Sequence, residues 1–133
     1  MIISTFLQIS FKEVTKSVYS ELYDLNIIPK PEVFTELYFE NHENLPFEVL
    51  PQHQYSFTFA IHNKEYKNMN YPYFVYILTN NKKLSLQKGN VFLHQDQKQT
   101  ASVHFSTSSA LPKSEIVVTL PGKNQNIDFW INE

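Results

Sequence analysis

The sequence predicts an all-β protein, an antiparallel β-sandwich of seven to eight strands preceded by a short N-terminal helical segment. Three observations carry that prediction. Beyond Pro31 the apolar residues repeat with period two, the side-chain alternation of a strand. Turn-forming Asn, Pro and Gly interrupt the pattern at roughly ten-residue intervals, the rhythm of a sandwich. Finally, 133 residues with 42% hydrophobic content, 11 Phe and 8 Tyr among them, suffice for one core between two sheets.

The first element is the helical exception. Val14, Val18, Leu22 and Leu25 recur at spacings of four, four and three, with Lys12, Glu13, Lys16, Glu21 and Asp24 at polar positions, which predicts a helix over 12–25. Pro29 and Pro31 end it and force an extended link. This divides the chain into an N-terminal segment, 1–32, and a sandwich, 33–133. Residues 34–39 then form a short aromatic strand. Over 53–63 the alternation is cleanest, with Tyr55, Phe57, Phe59 and Ile61 on one side and Ser56, Thr58, Ala60 and His62 on the other. The Asn- and Lys-rich stretch 63–70 is a loop. Residues 71–79 are apolar on both parities, as in a central strand, with Pro72 near the beginning, where its missing N–H is tolerated. Asn80, Asn81 and Lys82 turn the chain. Two short strands, 83–87 and 91–94, flank Gly89, and further strands cover 100–106, 115–120 and 127–131, with Pro121, Gly122 and Lys123 as a turn. The expected core is Phe57, Phe59, Ile61, Phe74, Val103, Phe105, Val118 and Phe129.

Composition excludes several chemistries. There is no Cys, all 11 basic residues are Lys, and Gly occurs only at Gly89 and Gly122. Disulfide frameworks, thiol nucleophiles, Cys-ligated zinc, arginine phosphate clamps and glycine-rich phosphate loops are therefore out. The net charge of −2, with lysines scattered singly apart from Lys82 and Lys83, argues against a nucleic-acid partner. The apolar run 1–11 is about half the ~20 residues a bilayer span needs, and it lacks the basic start and cleavage site of a signal peptide. It reads as an ordinary strand or helix start, with an anchor remnant or linker as the alternative.

The order of motifs is also familiar. Phe34-Thr35-Glu36-Leu37-Tyr38 is followed by Ile61-His62-Asn63-Lys64-Glu65, then Asn70-Tyr71-Pro72-Tyr73, then Ile127-Asp128-Phe129-Trp130-Ile131. Over about residues 33–131 this resembles the extracytoplasmic Ig-like β-sandwich of small membrane-anchored bacterial and archaeal proteins of unknown function, the domain-of-unknown-function family numbered sixteen-sixteen. The resemblance implies an Ig-like fold, a location outside the cytoplasm and no established activity. The long, basic transmembrane region of that family has no counterpart in this sequence.

Candidate chemistry is sparse. His42, His53, His62, His94 and His104 have no metal-ligand spacing, although His62 and His104 share the polar parity of two strands that could be neighbours. Asn63 is expected to turn the chain with its side-chain carbonyl, and Glu65 to accept backbone N–H bonds. Glu36 reads as a solvent-facing acid partnered by a loop N–H or a Tyr hydroxyl. Ser102 and His104 lie two apart without an orienting acid or an oxyanion hole, and no nucleophile elbow is present. No catalytic residue, metal or cofactor is expected. Tyr71, Tyr73, Tyr76 and Trp130 are the candidates for ligand or partner contact, since Tyr and Trp offer an apolar body with a polar tip. Together these readings predict a non-enzymatic extracytoplasmic Ig-like module, binding or structural, that meets an unknown protein or glycan. Membrane contact would come only through an N-terminal anchor. A carbohydrate-binding module using exposed Tyr and Trp rings is the first alternative, and a small hydrolase the second.

Overall fold

The structure, a computed structural model, describes residues 33–133. The predicted helix over 12–25, and with it the segment 1–32, lies outside the described residues. Seven strands are formed: β1 (Phe34–Glu40), β2 (Tyr55–Lys64), β3 (Met69–Thr79), β4 (Lys82–Leu93), β5 (Lys98–Phe105), β6 (Ser114–Leu120) and β7 (Gln125–Ile131). They make an all-β sandwich of two sheets, one ordered β1-β2-β5 and the other β4-β3-β6-β7. Every hydrogen-bonded pair is antiparallel.

The hairpin between β3 and β4 fixes this topology. Asn80 and Asn81 both adopt positive φ, 50° and 62°, and the hairpin closes on the pair Thr79–Lys82. Two consecutive left-handed residues make the two-residue turn whose twist suits a hairpin, and Asn tolerates that conformation. So tight a loop leaves β4 beside β3 instead of letting it cross to the β1-β2-β5 sheet, as the fourth strand of a constant-type immunoglobulin domain does. Pro72 sits within β3, in the stretch that pairs with β4 while β6 joins only from Phe74 onward, so its missing N–H breaks no second ladder.

One expectation is corrected in the same hairpin. The two short strands placed around Gly89 are a single long β4, with a bulge at Leu86 between the pairs Val75–Gln87 and Tyr76–Ser85. Gly89 does not have positive φ and is not a turn. It faces the ring of Tyr73, and a Cβ there would stand 2.5 Å from the Tyr73 hydroxyl. The glycine makes room for a core ring that crosses over the β4 backbone.

The core fills from both inner faces: Phe57, Phe59 and Ile61 of β2, Val103 and Phe105 of β5, Tyr71, Tyr73, Val75 and Ile77 of β3, and Ile116, Val118 and Leu120 of β6. Its aromatic part packs edge to face, with Phe39 and Phe57 each 5.2 Å from Phe129 and Phe59 5.2 Å from Tyr73. Such pairs add about 0.5–1.5 kcal/mol each beyond the area they bury. Phe129 is partly buried against this cluster. Phe74, expected in the core, is instead 44% exposed, because it takes the outer parity of β3. At one flank β1 and β7 lie side by side, with the Gln125 side chain donating to the Thr35 carbonyl at 3.0 Å.

Candidate functional site

The two outer faces of the sandwich differ in chemistry. On the β1-β2-β5 sheet the outer parity is polar. His62 Nδ1 stands 2.9 Å from Glu36 Oε1, and its Nε2 lies 3.1 Å from Asp96 Oδ1. Lys98 pairs with Glu40 at 3.4 Å and lies over the Tyr38 ring. The expected partner of Glu36, a loop N–H or a Tyr hydroxyl, is thus replaced by the imidazole opposite it in the register. His104 does not meet His62, because it pairs with Ser56, well down the strand from the His62–Lys98 pair. Among the described residues no group of three or more His, Asp or Glu side chains could hold a metal ion.

The β4-β3-β6-β7 sheet presents an aromatic and aliphatic face. Its register aligns three rows across the four strands: Lys83, Leu78, Glu115 and Trp130; Ser85, Tyr76, Val117 and Asp128; Lys88, Phe74, Thr119 and Asn126. Phe74 and Trp130 are 44% and 45% exposed, and Tyr76 is half-buried between them. The Lys83 ammonium lies 4.7 Å from the Tyr76 ring centroid, and the Lys113 ammonium 5.0 Å from that of Trp130. Within this face the Glu115 carboxyl is hydrogen-bonded to that of Asp128. That bond, with partial burial and the Asp128 charge, raises Glu115 to about 7. Among the described residues neither carboxyl has a lysine within salt-bridge distance. The pair is a diagonal one, visible only once the Val117–Asp128 register is known, so strand parity alone did not reveal it.

Of the four rings predicted to make contacts, Tyr76 and Trp130 share this face. Tyr71 and Tyr73 do not, being 1% and 7% exposed and pointing into the core. Their hydroxyls are used internally: Tyr71 hydrogen-bonds Thr35 Oγ1 at 2.7 Å, and Tyr73 accepts from Gln87 Nε2 at 3.0 Å. Burial pushes the Tyr71 phenol up, the bond to Thr35 opposing and the Glu65 charge adding to it.

Asn63 and Glu65 lie at one end of the sandwich. Asn63 Oδ1 accepts from the Glu65 N–H at 2.9 Å, while its amide donates to the carbonyls of Lys67, Leu93 and His94. Glu65 does not take the backbone N–H bonds expected of it. It accepts from Thr35 Oγ1 at 2.7 Å and pairs with Lys123 at 2.9 Å. Burial works to raise the Glu65 carboxyl, but the Lys123 and Thr35 hydrogen bonds and the nearby lysine charges outweigh it and hold it below its ordinary value.

The carboxyl pair of the β4-β3-β6-β7 face does not have the spacing of a glycosidase pair. Glu115 and Asp128 are in hydrogen-bond contact, closer than the about 5 Å of retaining pairs or the wider gap of inverting ones. They also stand on a sheet face, not in a cleft. A separate open groove of about 540 Å³, lined by Leu45, Pro46, Phe47, Leu50 and Tyr55, lies along the β1–β2 connection.

No family model and no curated protein matches the chain. Solved structures with the same fold include a β-glucosidase from Listeria innocua at 13% identity and TM-score 0.62, covering 79% of this chain and 16% of that one. A β-glucosidase from Kluyveromyces marxianus matches at 13% identity and TM-score 0.53, over 80% of this chain and 15% of the other. One from Erythrobacter marinus does so at 12% and 0.50, over 77% and 16%. The chain therefore spans about one sixth of the length of the enzymes it resembles, and at these identities the likeness is one of fold. Among the described residues no helix is long and apolar enough to cross a membrane. The functional expectation, a binding or structural module meeting an unknown protein or glycan, is corrected by these neighbours, which are glycoside hydrolases carrying the same fold within longer chains.

Proposed function

We propose that this chain works in glycoside hydrolysis, as the β-sandwich portion of a glycosidase whose reaction takes place on a separate catalytic unit. The supporting observation is the fold likeness to a one-sixth stretch of β-glucosidases. The site geometry favours the same division of labour. The Glu115–Asp128 pair is too close for glycosidic acid–base work, and a half-exposed sheet face excludes little water. The sandwich would instead stabilise or position the catalytic unit by packing against it.

The test joins two assays. Purified chain incubated with an aryl β-glucoside is expected to release no aglycone above the buffer rate. Tagged chain expressed in its source cells and recovered by affinity is expected to bring β-glucosidase activity with it, in excess of an unrelated tagged sandwich. Hydrolysis by the chain alone, or recovery without excess activity, rejects the reading.

A further inference from the structure

The outer face of the β4-β3-β6-β7 sheet is apolar in the middle and oppositely charged at its two sides. Leu78, Tyr76 and Phe74 on β3, with Val117 on β6, form the central band. Lys83 and Lys88 stand exposed on β4, while Glu115 on β6 and Asp128 on β7 lie toward the other edge. Lys113 is the basic group on the acidic side, and its ammonium is placed over Trp130, not on a carboxylate. Two carboxyls pressed together with no cation of their own lower the stability of the isolated chain. On the opposite edge, among the described residues, the two lysines have no carboxylate partner either. The face thus carries half of a complementary set twice over.

A two-fold axis parallel to the strands completes it. Rotation about such an axis lays one sheet on another face to face and reverses the strand order, so β4 of one copy crosses β7 of the second. In the first row Lys83 then stands over Trp130 and next to the diagonal pair Glu115–Asp128, while Leu78 stands over Glu115. In the second, Tyr76 meets Val117 and Ser85 meets Asp128. Within these three rows both lysines come to the acidic or amide edge and no like charges oppose, while Lys113, outside the rows, shares the Trp130 ring with the incoming Lys83. Sheets stacked in this way pack about 10 Å apart, their strands within about 30° of alignment.

We propose that two copies of this chain associate through the outer faces of their β4-β3-β6-β7 sheets, in a two-fold arrangement that pairs Lys83 of each copy with Glu115 and Asp128 of the other. The contact is isologous, so it closes at the dimer. Four strands at about 4.8 Å spacing give a footprint short of the roughly 800 Å² per partner of a standard interface, so the contact belongs with the weak, transient associations.

Sedimentation velocity of the purified chain from about 5 to about 500 μM is the experiment, bracketing that class. The wild type is expected to pass from monomer to dimer. Trp130→Ser, at a half-exposed position that leaves the core intact, is expected to weaken the dimer at least about tenfold, in the range of an interface hot spot. Lys83→Glu is expected to weaken it similarly, and combining it with Glu115→Lys and Asp128→Lys to restore it, with circular dichroism confirming the fold in each case. A wild type that stays monomeric throughout overturns the proposal. So does a dimer that Trp130→Ser and Lys83→Glu leave unchanged, or a charge reversal that the compensating pair does not rescue. A monomer whose face becomes protected only when a recovered glycosidase is added gives the face to that enzyme, and also overturns the proposal.

Discussion

Two carboxylates dominate the chemistry of single residues, and they respond to pH with opposite sign. Glu65 is 7% exposed and held below its ordinary 4.5 by Lys123 and Thr35. Its contribution is therefore complete above about pH 4.5 and is lost as the pH falls through the lowered folded-state value. Glu65→Gln is expected to cost about 2 kcal/mol at pH 7, leaving Lys123 without its partner. Urea titrations at pH 7 and pH 3.5 check this, and a gap as wide at the lower pH rejects it. Glu115 works the other way. Its folded-state value of about 7 exceeds the ordinary 4.5, so the folded chain keeps a proton that the unfolded chain releases, and stability falls as pH rises across that window. Glu115→Gln is expected to raise the unfolding free energy of the monomer, read from urea titration at pH 8, by about 1 kcal/mol after allowing for partial exposure. At pH 5 it should change little. Strand parity placed Trp130 on an outer face and Phe57 on an inner one. It could not place Tyr71, Tyr73 or Phe74, because residues 71–79 are apolar on both parities and alternation had nothing to choose between.

Among the elements, the β3–β4 hairpin repays closest attention. Its turn was legible, since consecutive asparagines suit positive φ. Its length was not, because Gly89 inside a run of alternating residues has the same signature as a break. The distinction rests on a contact made by Tyr73 from the neighbouring strand, which local sequence does not encode. Gly89→Ala is expected to destabilise by about 1–3 kcal/mol, the range for overpacking a filled core. Adding Tyr73→Leu, which removes the colliding hydroxyl and ring edge, should make the double variant cost less than the sum of the two single changes. Thermal unfolding of the four proteins supplies that cycle, and strict additivity would show that the glycine is there for another reason. The carboxyl pair on the outer face belongs to this scale too. Glu115 and Asp128 are ordinary outer-parity acids until register sets them diagonally across β6 and β7.

For the molecule as a whole, the sequence rhythm identified the architecture and most strands, while the order of strands within the sheets required pairings between distant segments. The β2–β5 ladder joins Tyr55 to Phe105, and Gln125 of β7 reaches back to Thr35 of β1. Such long loops must close before their contacts stabilise anything, so refolding is expected on the millisecond-to-second scale typical of all-β sandwiches. Stopped-flow dilution from urea measures it, and microsecond refolding would contradict the topology. The same flank has a mechanical consequence. Gln125 touches Thr35 near the start of both strands, and Phe129 touches Phe39 near their ends, so β1 and β7 run in the same direction. The chain thus enters the sandwich at one pole and leaves at the opposite pole. Tension applied along the polypeptide would pull β1 along β2 and β7 along β6 lengthwise, loading each ladder's hydrogen bonds in parallel instead of peeling them apart one at a time.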